Sequence, residues 1–274
     1  MFLIALAIAP GIAVCLFIYS LNRYGKESVR YLVISFILGM VATLPALLVQ
    51  LRAEDVRTEP WRHSIASYVW YAFAVVALSE EGSKFLVLRF YAYPKKVFRE
   101  PFDGVLYGVM IGMGFATVEN IEYVHKFGLE TGVSRFFLAI PAHAAFAVLM
   151  GYPVGRAKFE RGRSFGLLIK GLLVAVFFHG SFDFFLFVQQ SREATKYLST
   201  GMLSFGAFAT FYIAVRLAMR ALRMHQAMRD EEAEAPPADS IDPPAFTDEK
   251  NNQPINYTSE NDGRNIIDQT RRPG

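Results

Sequence analysis

Apolar runs about as long as a membrane-spanning helix recur along this chain, with short charged stretches between them. A helix needs ~20 mainly apolar residues to cross the hydrocarbon core of a bilayer. The pattern therefore predicts an all-α, polytopic membrane protein. We predict about seven transmembrane helices, namely Met1–Leu21, Val29–Leu51, Ile65–Tyr93, Phe102–Val124, Ser134–Val154, Leu167–Gln189 and Leu198–Ala221.

The end of the chain differs in composition from everything before it. Residues 230–274 contain 11 acidic and 4 basic residues, a net charge of −7, although the whole chain carries +3. Such a polar stretch cannot bury enough apolar surface to fold alone. We therefore predict two parts, a transmembrane protein domain over residues 1–229 and a disordered acidic tail over residues 230–274.

Basic residues between the predicted spans indicate the orientation. The loops on one side, together with the segment after the last span, contain 12 Lys and Arg residues, and the loops on the other side contain 7. Because cytoplasmic loops carry the excess, we expect the N-terminus outside and the tail in the cytoplasm of a bacterial-type cell (inner) membrane. The same topology explains the basic residues, so no nucleic-acid partner is expected.

Ionisable side chains interrupt four consecutive spans, the third to the sixth. A central Asp costs roughly 2.5 to 3.5 kcal/mol on the insertion scale, and such groups remain in a span when polar groups or water meet them there. We therefore expect these spans to form an inner bundle. It would bring together Glu80, Glu81 and Lys84 of the third span, Glu119 and Asn120 of the fourth, His143 of the fifth, and His179 and Asp183 of the sixth.

The depth of these residues in the predicted spans supports that expectation. At ~1.5 Å of rise per residue, Glu80, His143 and His179 lie within roughly 5 Å of one plane, and Glu119 and Asp183 lie about 8–9 Å nearer the outer face. His179 and Asp183 are i,i+4 neighbours, so Asp183 can hold the His179 ring. We expect water to enter from the outer side.

A stripe of glycines runs along the fourth span. Gly104, Gly108 and Gly112 repeat every four residues, and Phe115 and Glu119 continue the stripe. Small residues at this spacing let helices approach closely in lipid. We expect the stripe to pack against a neighbouring helix and to direct Glu119 into the bundle.

A purely structural interpretation of the ionisable groups is also open. Glu80 and Glu81 can form ion pairs with Lys84 or Arg89 that only fix helix packing, although one basic residue does not comfortably neutralise two buried acids. The histidines can be hydrogen-bonded residues of the core.

The order of these residues resembles a known family. Glu-Glu-x-x-Lys at 80–84, Phe-x-x-x-Glu-Asn at 115–120, His143 in the next span, and His-x-x-x-Asp at 179–183 are similar to the motifs of the PrsW family of intramembrane proteases. That family is related to the CAAX prenyl endopeptidases and to bacteriocin-processing membrane proteases. The second motif of those relatives ends in His where this chain has Glu119, which fits the PrsW branch.

The resemblance implies a membrane endopeptidase. The best-known member of the family makes the first cut in a membrane-spanning anti-sigma factor and so releases a stress response. The partners implied for this chain are the lipid bilayer and a single-span membrane protein as substrate, such as an anti-sigma factor.

The first mechanism that fits these residues needs no cofactor. Glu80 would deprotonate a water that attacks a peptide carbonyl, while His143 or His179 stabilises the oxyanion and helps to protonate the leaving amine. The resemblance also favours the first glutamate of the pair as the base. Glu81 lies about 100° round the helix, so we expect it to face a different point and to have a supporting role. Further supporting residues are Lys84, Glu119, Asn120 and Asp183.

Two alternatives remain open. Glu80, His143 and His179 make a plausible catalytic zinc shell with an open position for water, although the chain has no His-Glu-x-x-His motif. A proton-coupled transporter or channel would use the same residue types as proton relays. The two halves of the sequence show no convincing repeat, which many transporters have.

Overall fold

A computed structural model describes residues 2–22, 28–56 and 64–234 of the chain. Every regular element in these ranges is helical, which confirms the predicted all-α class. The helices are α1 (Phe2–Leu21), α2 (Val29–Val41), α3 (Thr43–Val56), α4 (Ile65–Trp70), α5 (Leu78–Val87), α6 (Pro101–Phe137), α7 (Ala139–Phe159), α8 (Ser164–Phe187) and α9 (Thr200–Glu234), with π-helical segments at Tyr71–Ala77 and Leu88–Ala92.

Five segments of the described chain are long and apolar enough to cross a membrane. They confirm a polytopic membrane protein but do not confirm the predicted count of about seven. The third predicted span, helical from Ile65 to Ala92, is not among them, and it contains Glu80, Glu81 and Lys84. The five segments are Leu3–Leu21, Val29–Ala53, Pro101–Phe159, Arg161–Gln190 and Thr200–Ala227.

The predicted tail lies mostly outside the described residues. Residues 230–234 are helical as the end of α9, and residues 235–274 are not described. Met1–Met228 forms one compact unit. The disorder expected for the tail therefore stays a prediction.

α2 and α3 are two parts of one interrupted helix. Only Ala42 separates them, and Pro45 follows in the first turn of α3. A proline has no backbone N–H, so the carbonyl of Val41 loses its helical partner there. Such a break allows a helix to change direction, and Gln50 lies in the part that follows it.

The chain reverses direction within α6, at Gly128. This residue has φ 80° and ψ −159°, a conformation that only glycine adopts readily. The side chains of Asn120 and Arg135 meet across the reversal, and Gly132 packs against Val124. The predicted fourth and fifth spans are thus joined by a tight hairpin, residues 119–135, which we call the Gly128 hairpin.

The glycine stripe of α6 packs against α7, as the sequence predicts. A Cβ atom on Gly104 would collide with the backbone of Gly151 and Gly155. A Cβ atom on Gly112 would lie 2.9 Å from the side chain of Ala147. Because these glycines have no side chain, the two backbones approach closely and the residues further along α6 lie beside His143.

Helix α5 carries the two glutamates and is flanked on both sides by π-helical turns. Such turns are rare and frequently lie at functional sites. The side chains of Glu80, Glu81 and Lys84 are all buried. Gly180 of α8 packs directly on the ring of Phe73 in the first π-helical segment, so its neighbour His179 lies close to α5.

Candidate active site

The two adjacent glutamates of α5 contact one imidazole ring of α8. Glu81 Oε1 lies 2.8 Å from His179 Nδ1, and Glu80 Oε2 lies 3.8 Å from His179 Nε2. Asp183 Oδ2 lies 3.3 Å from the same Nε2. The two glutamates thus contact one ring at different nitrogens, and the supporting role expected for Glu81 stays a prediction.

Lys84 is the cation at the centre of the cluster. Its Nζ lies 2.7 Å from Glu81 Oε1, 3.5 Å from Glu80 Oε2 and 3.3 Å from His143 Nδ1. It also lies 4.1 Å from the centre of the Phe115 ring, within the range of a cation–π contact. The Lys84 ammonium therefore contacts both glutamates and His143.

His143 joins the hairpin to this cluster. Its Nε2 lies 2.9 Å from Glu119 Oε2, and its ring centre lies 5.2 Å from that of His179. An ammonium group can only donate, so Nδ1 of the neutral ring accepts from Lys84 and Nε2–H donates to Glu119. Glu119 and Asp183, predicted to lie about 8–9 Å nearer the outer face than the histidines, are thus each in contact with a histidine.

A cavity of about 1130 Å³ reaches the cluster. Glu80, Glu119, His179 and Asp183 line it, whereas Glu81 is not among the described residues that form its walls. Water or a peptide in the cavity can therefore reach Glu80 and His179. Glu81 contacts the same ring at its other nitrogen, Nδ1.

Two residues that the motif analysis missed contact the cluster. Gln50 of α3 donates from Nε2 to Glu80 Oε1 at 3.2 Å. Arg135 of the Gly128 hairpin donates from Nη2 to Glu119 Oε2 at 3.4 Å. In the sequence Gln50 is a single amide in an apolar run, and Arg135 is one of the 7 basic residues counted on the outer side.

Asn120 lies at the edge of the site. Its Nδ2 donates to the carbonyl oxygen of Ala7 in α1 at 2.9 Å, and its Oδ1 accepts from Arg135 Nε at 2.9 Å. The side chain is completely buried. These contacts connect α1 to the hairpin, and Arg135 connects Asn120 to Glu119 and so to His143.

Glu80, His143 and His179 could together hold a metal ion, and binding it at His143 Nδ1 would require the Lys84 ammonium to leave its 3.3 Å contact with that atom. One ligand atom from each lies within 4.8 Å of the others, and all three residues are buried. Two imidazoles and a carboxylate are a donor set known from catalytic zinc sites. Glu81 at the Nδ1 of His179 matches the carboxylate that commonly orients a metal-binding histidine.

Comparison with known proteins agrees with the chemistry of this site. A family model described as PrsW family intramembrane metalloprotease matches residues 27–221. The chain belongs to the PrsW family. The match includes all of the cluster residues, and membership makes this a membrane-embedded peptidase, which decides against the transporter alternative.

Curated relatives support the membership. The chain is 34% identical over 190 residues to Protease PrsW of Geobacillus kaustophilus, an alignment that covers 69% of this chain and 81% of the relative. It is 34% identical over 187 residues to Protease PrsW of Bacillus subtilis, covering 67% and 82%. It is 32% identical over 193 residues to Protease PrsW of Clostridioides difficile, covering 68% and 80%. No solved structure matches the chain.

Proposed function

We propose that this member of the PrsW family cuts membrane-anchored proteins at the cluster of Glu80, His143 and His179. The observation that carries the proposal is that Glu80 and His179 line one cavity and lie 3.8 Å apart within it. A buried carboxylate next to an imidazole can move protons to and from a reacting water and amine.

In the mechanism that we favour, Glu80 takes a proton from a water in the cavity. The water oxygen then bonds to the scissile carbonyl carbon, and His179 stabilises the negative charge on the carbonyl oxygen. The proton passes to the leaving amine as the C–N bond breaks. Glu81 holds Nδ1 of His179, so that Nε2 is the nitrogen directed toward Glu80 and Asp183.

A metal ion is the second candidate for activating the water. Three observations favour it, namely the donor set, the Glu81–His179 contact and the description of the matching family as metalloproteases. Glu80, His143 and His179 would hold the ion. When bound, it would make a water more nucleophilic and polarise the peptide carbonyl.

The substrate class is a single-span membrane protein, and the family resemblance favours a membrane-spanning anti-sigma factor cut in a stress response. We place the N-terminus outside and the C-terminus in the cytoplasm of the cell membrane, because of the charge excess of 12 against 7. Glu119 and Asp183 would then mark the outer side, where water enters. The cut should fall in the outer half of the substrate's span, and mass spectrometry of the fragments can locate it.

The first experiment replaces Glu80, the proposed general base. Single-span membrane proteins of the same cell, anti-sigma factors included, are tagged at both ends and co-expressed with the chain, and a cleaved one is then assayed with purified enzyme. Glu80→Gln should lower turnover about 10²-fold or more, because general-base catalysis contributes that much. Glu130→Gln, an exposed position on the hairpin, is the control. Equal turnover in both variants would contradict the proposal.

The second experiment separates the two ways to activate water. Metal is measured in purified wild type, His143→Ala and His179→Ala, and activity is measured after chelation. A metal site predicts about one bound divalent ion in wild type, its loss in both variants and loss of turnover on chelation. Glutamate-activated water predicts turnover that survives chelation and does not follow metal content.

A further inference from the structure

Arg135 contacts the site although it belongs to none of the sequence motifs. Its side chain is only 14% exposed, and it lines the same cavity as Glu80 and His179. It lies on the return arm of the Gly128 hairpin, so the reversal at Gly128 is what brings it beside Glu119. A basic group that is this deeply buried in the protein requires partners.

The guanidinium group is held on several sides. Nε donates to Asn120 Oδ1 at 2.9 Å, and Cζ lies 4.2 Å from the centre of the Tyr123 ring. Asn120 is itself fixed, because it donates to the carbonyl oxygen of Ala7. The planar fork of an arginine is suited to such a site, since it can bind an amide, stack on a ring and still donate to a carboxylate.

The third contact of the Arg135 guanidinium group is with Glu119. Nη2 donates to Glu119 Oε2 at 3.4 Å, and this same oxygen lies 2.9 Å from His143 Nε2. Because Arg135 of α6 and His143 of α7 both donate to Glu119 Oε2, rotation of the Glu119 carboxylate is restrained and Oε2 stays beside His143. Without Arg135, the carboxylate faces the cavity with one donor fewer.

We propose that Arg135 is a positioning residue of the protease. It holds Glu119 against His143 and so sets the orientation of that imidazole in the cluster. This inference rests on the proposed function of the cluster. It adds a residue from outside the four motifs, one that acts through Glu119 and not by contact with the reacting atoms.

The test compares Arg135→Gln, Arg135→Lys, Glu119→Gln and the double variant Arg135→Gln/Glu119→Gln, with the single-span substrate found by co-expression. Arg135→Gln should lower kcat about 10- to 100-fold, the effect of losing a hydrogen bond to a charged group, with KM changed less than about twofold. Arg135→Lys should recover part of kcat, because it keeps the charge but cannot also bind Asn120. The double variant should be no slower than Glu119→Gln, since both changes break one interaction.

Arg156→Gln is the matched control. Arg156 is not among the described residues that line the cavity, and its guanidinium forms a part-exposed ion pair with Glu160 at 2.6 Å. Exposed pairs of this kind contribute little, so its kcat should equal that of wild type. Thermal unfolding in detergent is followed for every variant.

Three results would overturn the inference. They are a higher KM at unchanged kcat in Arg135→Gln, losses that multiply in the double variant, and an Arg135→Lys variant that recovers none of the kcat lost in Arg135→Gln. If Arg135→Gln does not fold, a kcat in Arg135→Lys below that of Glu119→Gln overturns the inference, because a residue that acts only through Glu119 cannot cost more than the loss of Glu119. Glu80→Gln is run in parallel, because an active Glu80→Gln would refute the proposed function, whereas an inactive Glu80→Gln beside an unaffected Arg135→Gln would refute only the role of Arg135.

Discussion

Glu80 and Glu81 follow each other in the chain but have different partners. Glu80 lines the cavity and accepts a hydrogen bond from Gln50, whereas Glu81 is enclosed between Lys84 and His179. Because only the first can meet a water in the cavity, the two carboxylates are expected to contribute differently to proteolysis. At the scale of single residues, function follows from these partners more than from residue type.

Gln50 provides the prediction at this scale. Gln50→Leu has a similar volume but no amide to donate to Glu80 Oε1, a contact of 3.2 Å. We expect turnover of the single-span substrate to fall about 10- to 100-fold, because a hydrogen bond to a charged group is lost. Gln189→Leu is the control, since Gln189 also lines the cavity but donates to the backbone of Phe185. Equal turnover in the two variants would show that Gln50 does not orient Glu80.

At the scale of elements, interruptions in the helices bring the site residues together. The break between α2 and α3 at Ala42 precedes Gln50, π-helical turns flank the helix of Glu80, and the reversal at Gly128 returns Arg135 to Glu119. Apolar runs interpreted as straight helices do not specify these contacts. The interruptions are therefore part of how we explain the site.

Gly128→Ala tests the most abrupt of these bends. A Cβ atom at Gly128 would meet nothing within 4 Å, so the cost comes from the backbone, which has φ 80°. Residues other than glycine in such regions cost about 1–3 kcal/mol, so we expect a lower unfolding temperature in detergent and lower turnover. Gly166→Ala, a helical glycine with equal space, should instead be neutral or stabilising by up to about 1 kcal/mol. A Gly128→Ala protein as stable as Gly166→Ala would contradict this account of the hairpin.

At the scale of the whole molecule, the compact unit and the family match both end before the acidic stretch. The compact unit reaches Met228, and the family match ends at residue 221. All of the cluster residues, as well as Gln50 and Arg135, lie within both. The chain from residue 235 onward, which lies outside the described residues, is therefore proposed to be dispensable for proteolysis.

Truncation after Glu234 tests this proposal. Removal of residues 235–274 should leave turnover within about twofold of wild type and should not change the unfolding temperature, because a stretch of this composition does not pack a core of its own. Both quantities are measured on purified protein with the same substrate. A tenfold loss of turnover without a change in unfolding temperature would show that the tail takes part in the reaction.

The sequence by itself determined that this is a helical membrane protein and which ionisable residues must meet inside it. Hydrophobic length predicts spans, and the cost of leaving Glu80, His143 or His179 in lipid predicts that they find each other. Only the tertiary structure decided which carboxylate oxygen contacts which imidazole nitrogen. It also decided that Glu80 and Glu81 both contact the His179 ring, and that Gln50 and Arg135 belong to the site. The physical reason is that periodicity gives the direction of each side chain from a straight helix, whereas breaks at Ala42 and Gly128 and the rotation of long side chains set the final contacts.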